Sequence, residues 1–444
     1  MIGNLKNIFI RNRLYYSLVT IVFLFVLGYF FEPVYVLAKF SLLVLSSLLL
    51  IDLLLLFSVK QGIYAQRITP VRMSNGDTNE IKIIASSQYL FNIKFNMIDE
   101  LPYQFQIRDF DVEGTLEPGI EKEINYKLMP QEKGEYNFGQ IMVYAFSFIG
   151  LLSKRYKCGK PATVAVYPSF MQMRKYEFLA VANRMEEAGI KKIRQKGIHA
   201  EFDKVREYVQ GDDYRTMNWK ATARKGNLMV NQYQDEKSKE VYCVIDKSRL
   251  MKMPFDGLSL LDYSINASLV MSNIALQKHD KAGLIAYNTQ IDNFIMADNR
   301  TGQLQKILEA LFNQQTNFLE SNLELLYLTI KKKVHQRSLL IMFTNYESLV
   351  SLKRNLNPFK ELSRNHLVLV IIFKNTEIEK LTKPISYLPE DIYYQITAEK
   401  FIYDKKLIVR ELNQHGIHAI LTNPQDLTVN LINKYLEFKS LGML

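Results

Sequence analysis

Two long apolar stretches near the N-terminus constrain the fold of this chain more than any other feature. Residues 14–31 carry no charge, and residues 40–57 carry only Asp52. A helix of about 18 residues is roughly 27 Å long, which is close to the thickness of the hydrocarbon core of a bilayer. We therefore predict a transmembrane helical hairpin over residues 1–60, with spans at about 14–31 and 33–57.

Basic residues lie at both ends of this hairpin. Three precede the first span and three follow the second: Lys6, Arg11, Arg13, Lys60, Arg67 and Arg72. Positive charges near span ends favour the cytosolic side. We therefore predict a two-pass protein of the bacterial cytoplasmic (inner) membrane with its large domain in the cytosol. The chain has only two cysteines, which is consistent with a reducing compartment.

The charge balance agrees with a position beside a membrane. The formal net charge is +11, and an anionic leaflet attracts a basic protein surface without any nucleic acid. No RNA- or DNA-reading motif accompanies the lysines and arginines. We expect the lipid bilayer as a partner and expect no nucleic-acid binding. Asp52 is interpreted as lying near the inner interface of the membrane and is given no role.

Residues 61–170 predict an all-β, sandwich-like domain. Four short segments, around Ile81, Phe91, Glu123 and Ala162, are rich in β-branched and aromatic residues. Turn signals such as NGD and EPG separate them. Folds of this class commonly serve interaction rather than chemistry, and we find no catalytic cluster in the segment.

Residues 239–444 predict a different class, an α/β domain with a mainly parallel sheet. Apolar strands such as EVYCVID, AGLIAYN, SLLIMFTN, HLVLVIIF and IHAILTN alternate with helical stretches at about 258–278, 303–333 and 391–414. Ligands of such sheets bind at the carboxyl ends of the strands. The residues that follow each strand are therefore the candidates for function.

The first of these strands ends in Asp246, and Ser248 follows two residues later. This opening resembles the ion-site signature Asp-x-Ser-x-Ser of von Willebrand factor A domains. The resemblance implies a Rossmann-like fold, oxygen ligands for a cation such as magnesium, and partners of the von Willebrand factor A type. Leu250 replaces the second serine, and Thr344 and Asn345 stand where the family places its aspartate. We interpret Asp246 and Ser248 as a degraded metal site and expect no resident cofactor.

The stretch from 197 to 236, within a predicted linker and signature block at 171–238, has the most unusual composition. Asp212 or Asp213 is predicted to cap a short helix that ends at Gly226, with Arg215 stacked one turn below Trp219. Two interpretations remain open. One is a buried ion-pair and aromatic latch between the two domains, and the other is a docking surface for a partner.

This block resembles the signature of the domain of unknown function 58 family, approximately Phe-x-x-x-Arg-x-Tyr-x-x-Gly-Asp-Asp-x-Arg-x-x-x-Trp-x-x-x-Ala-Arg. The matching residues are Phe202, Arg206, Tyr208, Gly211, Asp212, Asp213, Arg215, Trp219, Ala223 and Arg224. The likeness extends back through EKGEYNFGQIMVYAFSFIGLL. There Lys133 stands for the family's arginine and Ser147-Phe148 for its Asp-Pro.

The resemblance implies a module that works alongside a MoxR-type AAA+ ATPase in chaperone-like or envelope-related assembly. The chain has no Gly-x-x-x-x-Gly-Lys-Ser/Thr loop, so nucleotide energy is expected from such a partner. Two hypotheses follow: a membrane-anchored adaptor, or a metal-dependent hydrolase that uses Asp212, Asp213 and Asp246 as cation ligands. Three acids without an aligned base or nucleophile are not a complete catalytic constellation, so we expect no enzymatic activity.

Overall fold

The structure is a computed structural model. It describes residues 7–181, 190, 200–235, 238–314, 316–381 and 389–444, with side chains left out at 178–181, 200–203, 233–235, 380–381 and 389. The chain divides into two compact units, Met1–Tyr167 and Pro168–Leu444. Each unit is described by itself.

The first unit begins with a pair of packed apolar helices. A short strand, β1 (Ile8–Ile10), precedes helix α1 (Asn12–Gly28), and α2 (Glu32–Phe57) follows with Pro33 in its first turn, where proline is tolerated. By length and composition, α2 is able to cross a membrane, whereas the apolar α1 is shorter. The predicted pair of apolar helices is therefore present, and one of them has the length of a span.

Ten further strands follow the helix pair. They are β2 (Ile63–Ile68), β3 (Arg72–Ser74), β4 (Asn79–Ser87), β5 (Ile93–Asp99), β6 (Asp111–Leu116), β7 (Glu121–Leu128), β8 (Gly134–Phe138), β9 (Ile141–Phe146), β10 (Leu152–Cys158) and β11 (Ala162–Tyr167). They form sheets of order β1-β10-β9-β5-β6, β2-β4-β7 and β3-β11-β8. The predicted β-rich region is confirmed.

Alternation of side chains explains how these sheets pack. Along β4, every second residue is buried, as expected for a strand with one face on a core. Ile83 of β4, Phe95 of β5 and Val143 of β9 belong to one buried cluster, so the five-stranded sheet and the β2-β4-β7 sheet share a core. Residues Leu14 and Leu56 of the helix pair belong to the same cluster.

The second unit contains a six-stranded sheet of order β18-β17-β14-β19-β20-β21. Its strands are β14 (Glu240–Asp246), β17 (Lys281–Tyr287), β18 (Ile291–Asp298), β19 (Leu339–Phe343), β20 (Leu367–Phe373) and β21 (His418–Thr422). All pairings are parallel except that of the edge strand β18. The predicted α/β region with a mainly parallel sheet is confirmed.

The second unit also contains two small strand pairs that are not part of this sheet. One pairs β12 (Ala200–Glu207) with β13 (Met229–Asp235), and the other pairs β15 (Pro254–Phe255) with β16 (Leu258–Ser259).

Ten helices accompany the strands of this unit in its described part. They are α3 (Phe170–Val181), α4 (Trp219–Lys225), α5 (Leu260–Gln277), α6 (Gln303–Phe312), α7 (Leu323–Lys333), α8 (Leu349–Arg354), α9 (Leu356–Asn365), α10 (Thr376–Leu381), α11 (Pro389–Gln414) and α12 (Leu427–Ser440). One buried cluster joins the sheet to α5, α6 and α12, and another joins it to α7, α9 and α11. Helices therefore cover both faces, as parallel strands buried on both sides require.

Two expectations for this region need correction. The stretch 303–333 forms two helices rather than one. The described residues 314 and 316–321 are not helical, and the Asn322 side chain caps the second helix by accepting the Leu325 N–H. Strand β18 was not predicted. Its residues are only partly buried, so it lacks the continuous apolar run that marks the central strands.

Candidate functional site

The signature block forms a short strand pair with a helical insertion. Strands β12 and β13 pair antiparallel, and between them the chain makes a 3-10 turn at Tyr214–Thr216 followed by helix α4. The backbone of Phe202 pairs with that of Tyr233, whereas the Phe202 side chain lies outside the described part. The Tyr208 N–H donates to the Leu228 carbonyl, which closes the base of the insertion.

A bidentate ion pair braces the start of this insertion. Arg206 donates to both carboxylate oxygens of Asp212, at 2.8 and 2.6 Å, and Asp212 also accepts the Val209 N–H at 2.9 Å. The hydrogen bonds from Arg206 and Val209 lower the pKa of Asp212. Between these residues Gly211 has φ +115°, a region that favours glycine. The pair fixes a tight turn.

Capping residues hold the rest of the insertion in place. Asp213 accepts the Arg215 N–H and caps the 3-10 turn, whereas Asn218 caps α4 through the Ala221 N–H at 3.0 Å. Gly226 ends α4 with φ 77°, as predicted. The prediction that Asp212 or Asp213 caps the helix itself is wrong, because Asp212 is bound by Arg206 and Asp213 caps the preceding turn.

Three large apolar side chains of the insertion, two of them aromatic, face solvent. Trp219 is 68% exposed, Tyr214 is 70% exposed and Val209 is 61% exposed. Arg215 lies over the ring of Tyr214 rather than stacking on Trp219. The expected stack on Trp219 is wrong, because extended backbone at Met217 separates the 3-10 turn from α4.

The block is also not enclosed by the described part of the second unit itself, and the latch between the two units stays a prediction. The side chains of Arg206 and Asp212 are 36% and 21% exposed, and the tryptophan is open to solvent. The two remaining matched residues, Ala223 and Arg224, lie on α4, where Arg224 is in the last turn.

The predicted metal residues lie at the carboxyl end of β14, but Asp246 is closed off. It is 2% exposed, and it accepts hydrogen bonds from the Thr344 hydroxyl at 2.7 Å, the Ser248 N–H at 2.9 Å and the Ser321 hydroxyl at 3.4 Å. Burial raises the pKa of Asp246, and these hydrogen bonds oppose the shift. Thr344 thus binds Asp246 directly.

The three acids of the hydrolase hypothesis have different hydrogen-bond partners. Asp212 is bound by Arg206, Asp213 caps a turn and Asp246 is enclosed by hydroxyl and backbone donors. Over the described ranges, no group of three or more His, Cys, Asp or Glu side chains is arranged to hold a metal ion. The arrangement therefore gives the hydrolase hypothesis no geometric basis.

A second set of contacts, in the first unit, joins α2 to the β-rich region. Asp52 is fully buried and accepts hydrogen bonds from the Ser147 hydroxyl at 2.5 Å, the Leu151 N–H at 3.0 Å and the Leu152 N–H at 2.8 Å. Asp52 was interpreted from the sequence as lying near the inner membrane interface, with no role. Its hydrogen-bond donors lie about 95–100 residues further along the chain.

Buried polar groups also hold the last turn of α2. Lys154 donates to the carbonyls of Leu56 at 3.1 Å and Val59 at 2.9 Å, and the Tyr89 hydroxyl donates to the Leu56 carbonyl at 2.8 Å. A cation at a helix C-terminus satisfies carbonyls that have no partner within the helix. Burial lowers the pKa of Lys154. We call this set, with Asp52, the helix joint.

Strand β1 completes the attachment from the other end of the helix pair. It pairs antiparallel with β10, with Ile8 opposite Lys154 and Ile10 opposite Leu152. Strand β10 therefore contacts the chain on both sides of the helix pair. It pairs with β1 before α1, and its Lys154 binds the carbonyls of Leu56 and Val59 at the end of α2. No sequence signal in the three-residue strand predicted this pairing.

Comparison with protein families gives one match within the second unit. Residues 204–382 match the family described as "Protein of unknown function DUF58". The match begins inside the signature block and extends beyond β20. The chain is also 28% identical over 128 residues to "Uncharacterized protein YeaD" of Bacillus subtilis (strain 168), covering 28% of this chain and 31% of that protein. It thus spans less than a third of the length of that relative.

Solved structures give weaker likenesses. Proximal thread matrix protein 1 from the mussel byssus covers 46% of this chain and 48% of its own, at 8% identity and a TM-score of 0.27. The ASH / PapD-like domain of human CEP192 covers 22% and 84%, at 14% identity and a TM-score of 0.18. Neither TM-score is high enough to carry an argument about fold. The sequence match to a family of unknown function, over residues 204–382, is what these comparisons establish.

Proposed function

We propose that the protein is a membrane-anchored adaptor that presents its signature block to a protein partner in the cytosol. The observation that carries this proposal is the exposure of Tyr214 and Trp219 on a braced insertion. Aromatic side chains are enriched among the residues that dominate protein interfaces. Bracing by the Arg206–Asp212 pair lowers the entropy lost on binding.

The partner that the family resemblance implies is a MoxR-type AAA+ ATPase, and a von Willebrand factor A-type arrangement of the second unit fits that role. The six-stranded, mainly parallel sheet supports this proposal, and Asp246 is enclosed by Thr344 and Ser248. A surface that binds through aromatic contacts needs no metal. We therefore propose recognition by the block rather than through a cation.

The anchor consists of both apolar helices crossing the membrane as a hairpin. The length of α2 supports one span, and the attachment of β1 and the helix joint to the same β-rich region supports a return of the chain to its starting side. The basic flanks support a cytosolic position for that side.

The test uses the full chain in lipid nanodiscs and a purified MoxR-type AAA+ ATPase. We expect the two to co-purify and the ATP turnover of the ATPase to change. The double variant Tyr214→Ala/Trp219→Ala should weaken binding about tenfold or more, since buried interface aromatics contribute about 2 kcal/mol when truncated. Tyr103→Ala is the matched control, because Tyr103 is 80% exposed in the first unit.

Two outcomes contradict the proposal in different ways. If the wild-type chain neither binds the ATPase nor alters its turnover, the partner is wrong. If binding occurs and the double variant binds as tightly as the control, the signature block is not the docking surface.

A further inference from the structure

A cavity of about 450 Å³ lies at the carboxyl edge of the parallel sheet in the second unit. Glu347 follows β19, Lys374 follows β20 and Leu421 is near the end of β21, so the three strands open onto the same space. Helices α10 and α11 supply the opposite wall. This is the edge at which open α/β sheets bind their ligands, and the volume is in the range of small-molecule sites.

The wall of the cavity is mainly apolar. Five apolar side chains line it: Met253, Ile378, Phe401, Ile402 and Leu421. They come from the segment after β14, from α10, from α11 and from β21. A ligand that fills this space must therefore have an apolar body.

One lysine in the wall has a charge without a carboxylate partner. The Nζ of Lys405 donates to the Asn345 side-chain carbonyl and to the Tyr346 backbone carbonyl, at 2.6 Å for the latter. Both acceptors are neutral. Within the described part of the chain, no carboxylate lies within 4 Å of Lys405 Nζ. Burial lowers the pKa of Lys405 to about 8, which leaves most of the lysine protonated at neutral pH.

The charges around the cavity limit the charge of the ligand. Lys374 and Lys406 lie in the lining, and so do Glu347 and Glu379. The two acids offset two of the three lysines, which leaves about one positive charge for a ligand. A singly charged carboxylate fits this balance better than a doubly charged phosphate.

From this geometry we propose that the cavity binds a small carboxylate with an apolar body, with the carboxylate at Lys405 and the apolar body against Phe401, Ile402 and Leu421. A carboxylate there completes the charge of a lysine that now has only neutral acceptors. The site is independent of the docking surface proposed for Tyr214 and Trp219, and nothing in the proposed adaptor function requires it.

The test uses calorimetry on the full chain in lipid nanodiscs with naphthalene-2-carboxylate as the probe. Empty nanodiscs provide the blank. Naphthalene-2-carboxamide is the matched neutral probe, with the same ring system and no charge. We expect the carboxylate to bind at least tenfold more tightly than the carboxamide. Equal binding of the two probes, or no binding of the carboxylate at millimolar concentration, overturns the proposal.

Substitutions of single lysines test whether Lys405 is the residue that binds the carboxylate. We expect Lys405→Met to weaken carboxylate binding at least tenfold, whereas the control Lys400→Met, at an exposed position on the same helix outside the cavity lining, should change it less than about threefold. Binding by Lys405→Met at the wild-type level contradicts the assignment. A peptide with a free C-terminus that binds more tightly than the small probe would also contradict it, because the site would then take a protein segment.

A pH titration of the wild-type chain tests the same point without any substitution. Protonated Lys405 attracts the carboxylate, so affinity should be constant near pH 6–7 and fall about tenfold between pH 7 and pH 9 as the lysine loses its proton. The other charged or titratable groups around it are Tyr346, Glu347, Lys374, Glu379 and Lys406. Burial raises the pKa of the Tyr346 hydroxyl, which keeps it neutral across this range. An affinity that does not fall by pH 9 contradicts the proposal.

Discussion

Asp52 is a carboxylate in an apolar helix, and its environment explains why the fold retains it. A buried carboxylate without partners is strongly unfavourable, but three donors from the loop before β10 and from the first residue of β10 bind this one. Sequence alone placed the residue near the membrane interface. It did not predict the contacts, because a hydrogen bond between residues about 100 positions apart leaves no local pattern.

Replacement of Asp52 by leucine should destabilise the first unit. The change leaves the Leu151 and Leu152 N–H groups and the Ser147 hydroxyl without their acceptor, at a cost of at least about 3 kcal/mol. We expect the unfolding midpoint in nanodiscs to fall by roughly 6–12 °C. The control is Ser46→Ala on the same helix, because Ser46 donates only to the Leu42 carbonyl at an exposed position. Equal midpoints for the two variants would show that the helix joint contributes nothing.

Features of the signature block that depend on a single residue could be predicted from the sequence, whereas those that depend on helix continuity could not. The end of α4 at Gly226 was predicted correctly, because a glycine in left-handed conformation is a local signal. The stack of Arg215 on Trp219 was predicted wrongly, because it assumed one continuous helix. The backbone at Met217 is extended instead, and a single such residue changes which side chains share a face.

Among the secondary-structure elements, strands with a continuous apolar run could be predicted from the sequence, and strands without one could not. The central strands β14, β19 and β20 are fully buried and carry apolar runs, so they were found with nearly correct bounds. The edge strand β18 and the short strand β1 are partly exposed and were missed. Edge strands pair on one side only and therefore need no continuous apolar sequence.

The insertion of the signature block should depend on its helix end. Gly226 has φ 77°, and a Cβ there would meet nothing within 4 Å, so Gly226→Ala adds backbone strain without a clash. The strain of about 1 kcal/mol should make local opening about fivefold more frequent. Hydrogen exchange of the amides in residues 219–225 of the full chain measures this. Lys220→Ala is the control on the same helix, and exchange rates as low as those of this control would contradict the account.

At the scale of the whole molecule, the chain consists of an apolar helix pair built into a β-rich region and an α/β unit that carries the signature block. The helices could be predicted because membrane spans need long apolar runs. Their attachment through β1, Asp52 and Lys154 could not, since it rests on contacts between distant segments. This attachment gives the proposed anchor a fixed connection to the β-rich region of the first unit.

The topology of the chain is the central claim, and labelling of single cysteines with a membrane-impermeant maleimide tests it most directly. In a background with Cys158 and Cys243 replaced by serine, cysteines are placed at Phe30, between the helices, and at Trp219 and Tyr103. These three side chains are 71%, 68% and 80% exposed. In bacterial spheroplasts we predict labelling at position 30 without permeabilisation, and labelling at positions 103 and 219 only after it. Labelling at position 219 in intact spheroplasts would contradict a cytosol-facing, membrane-anchored adaptor.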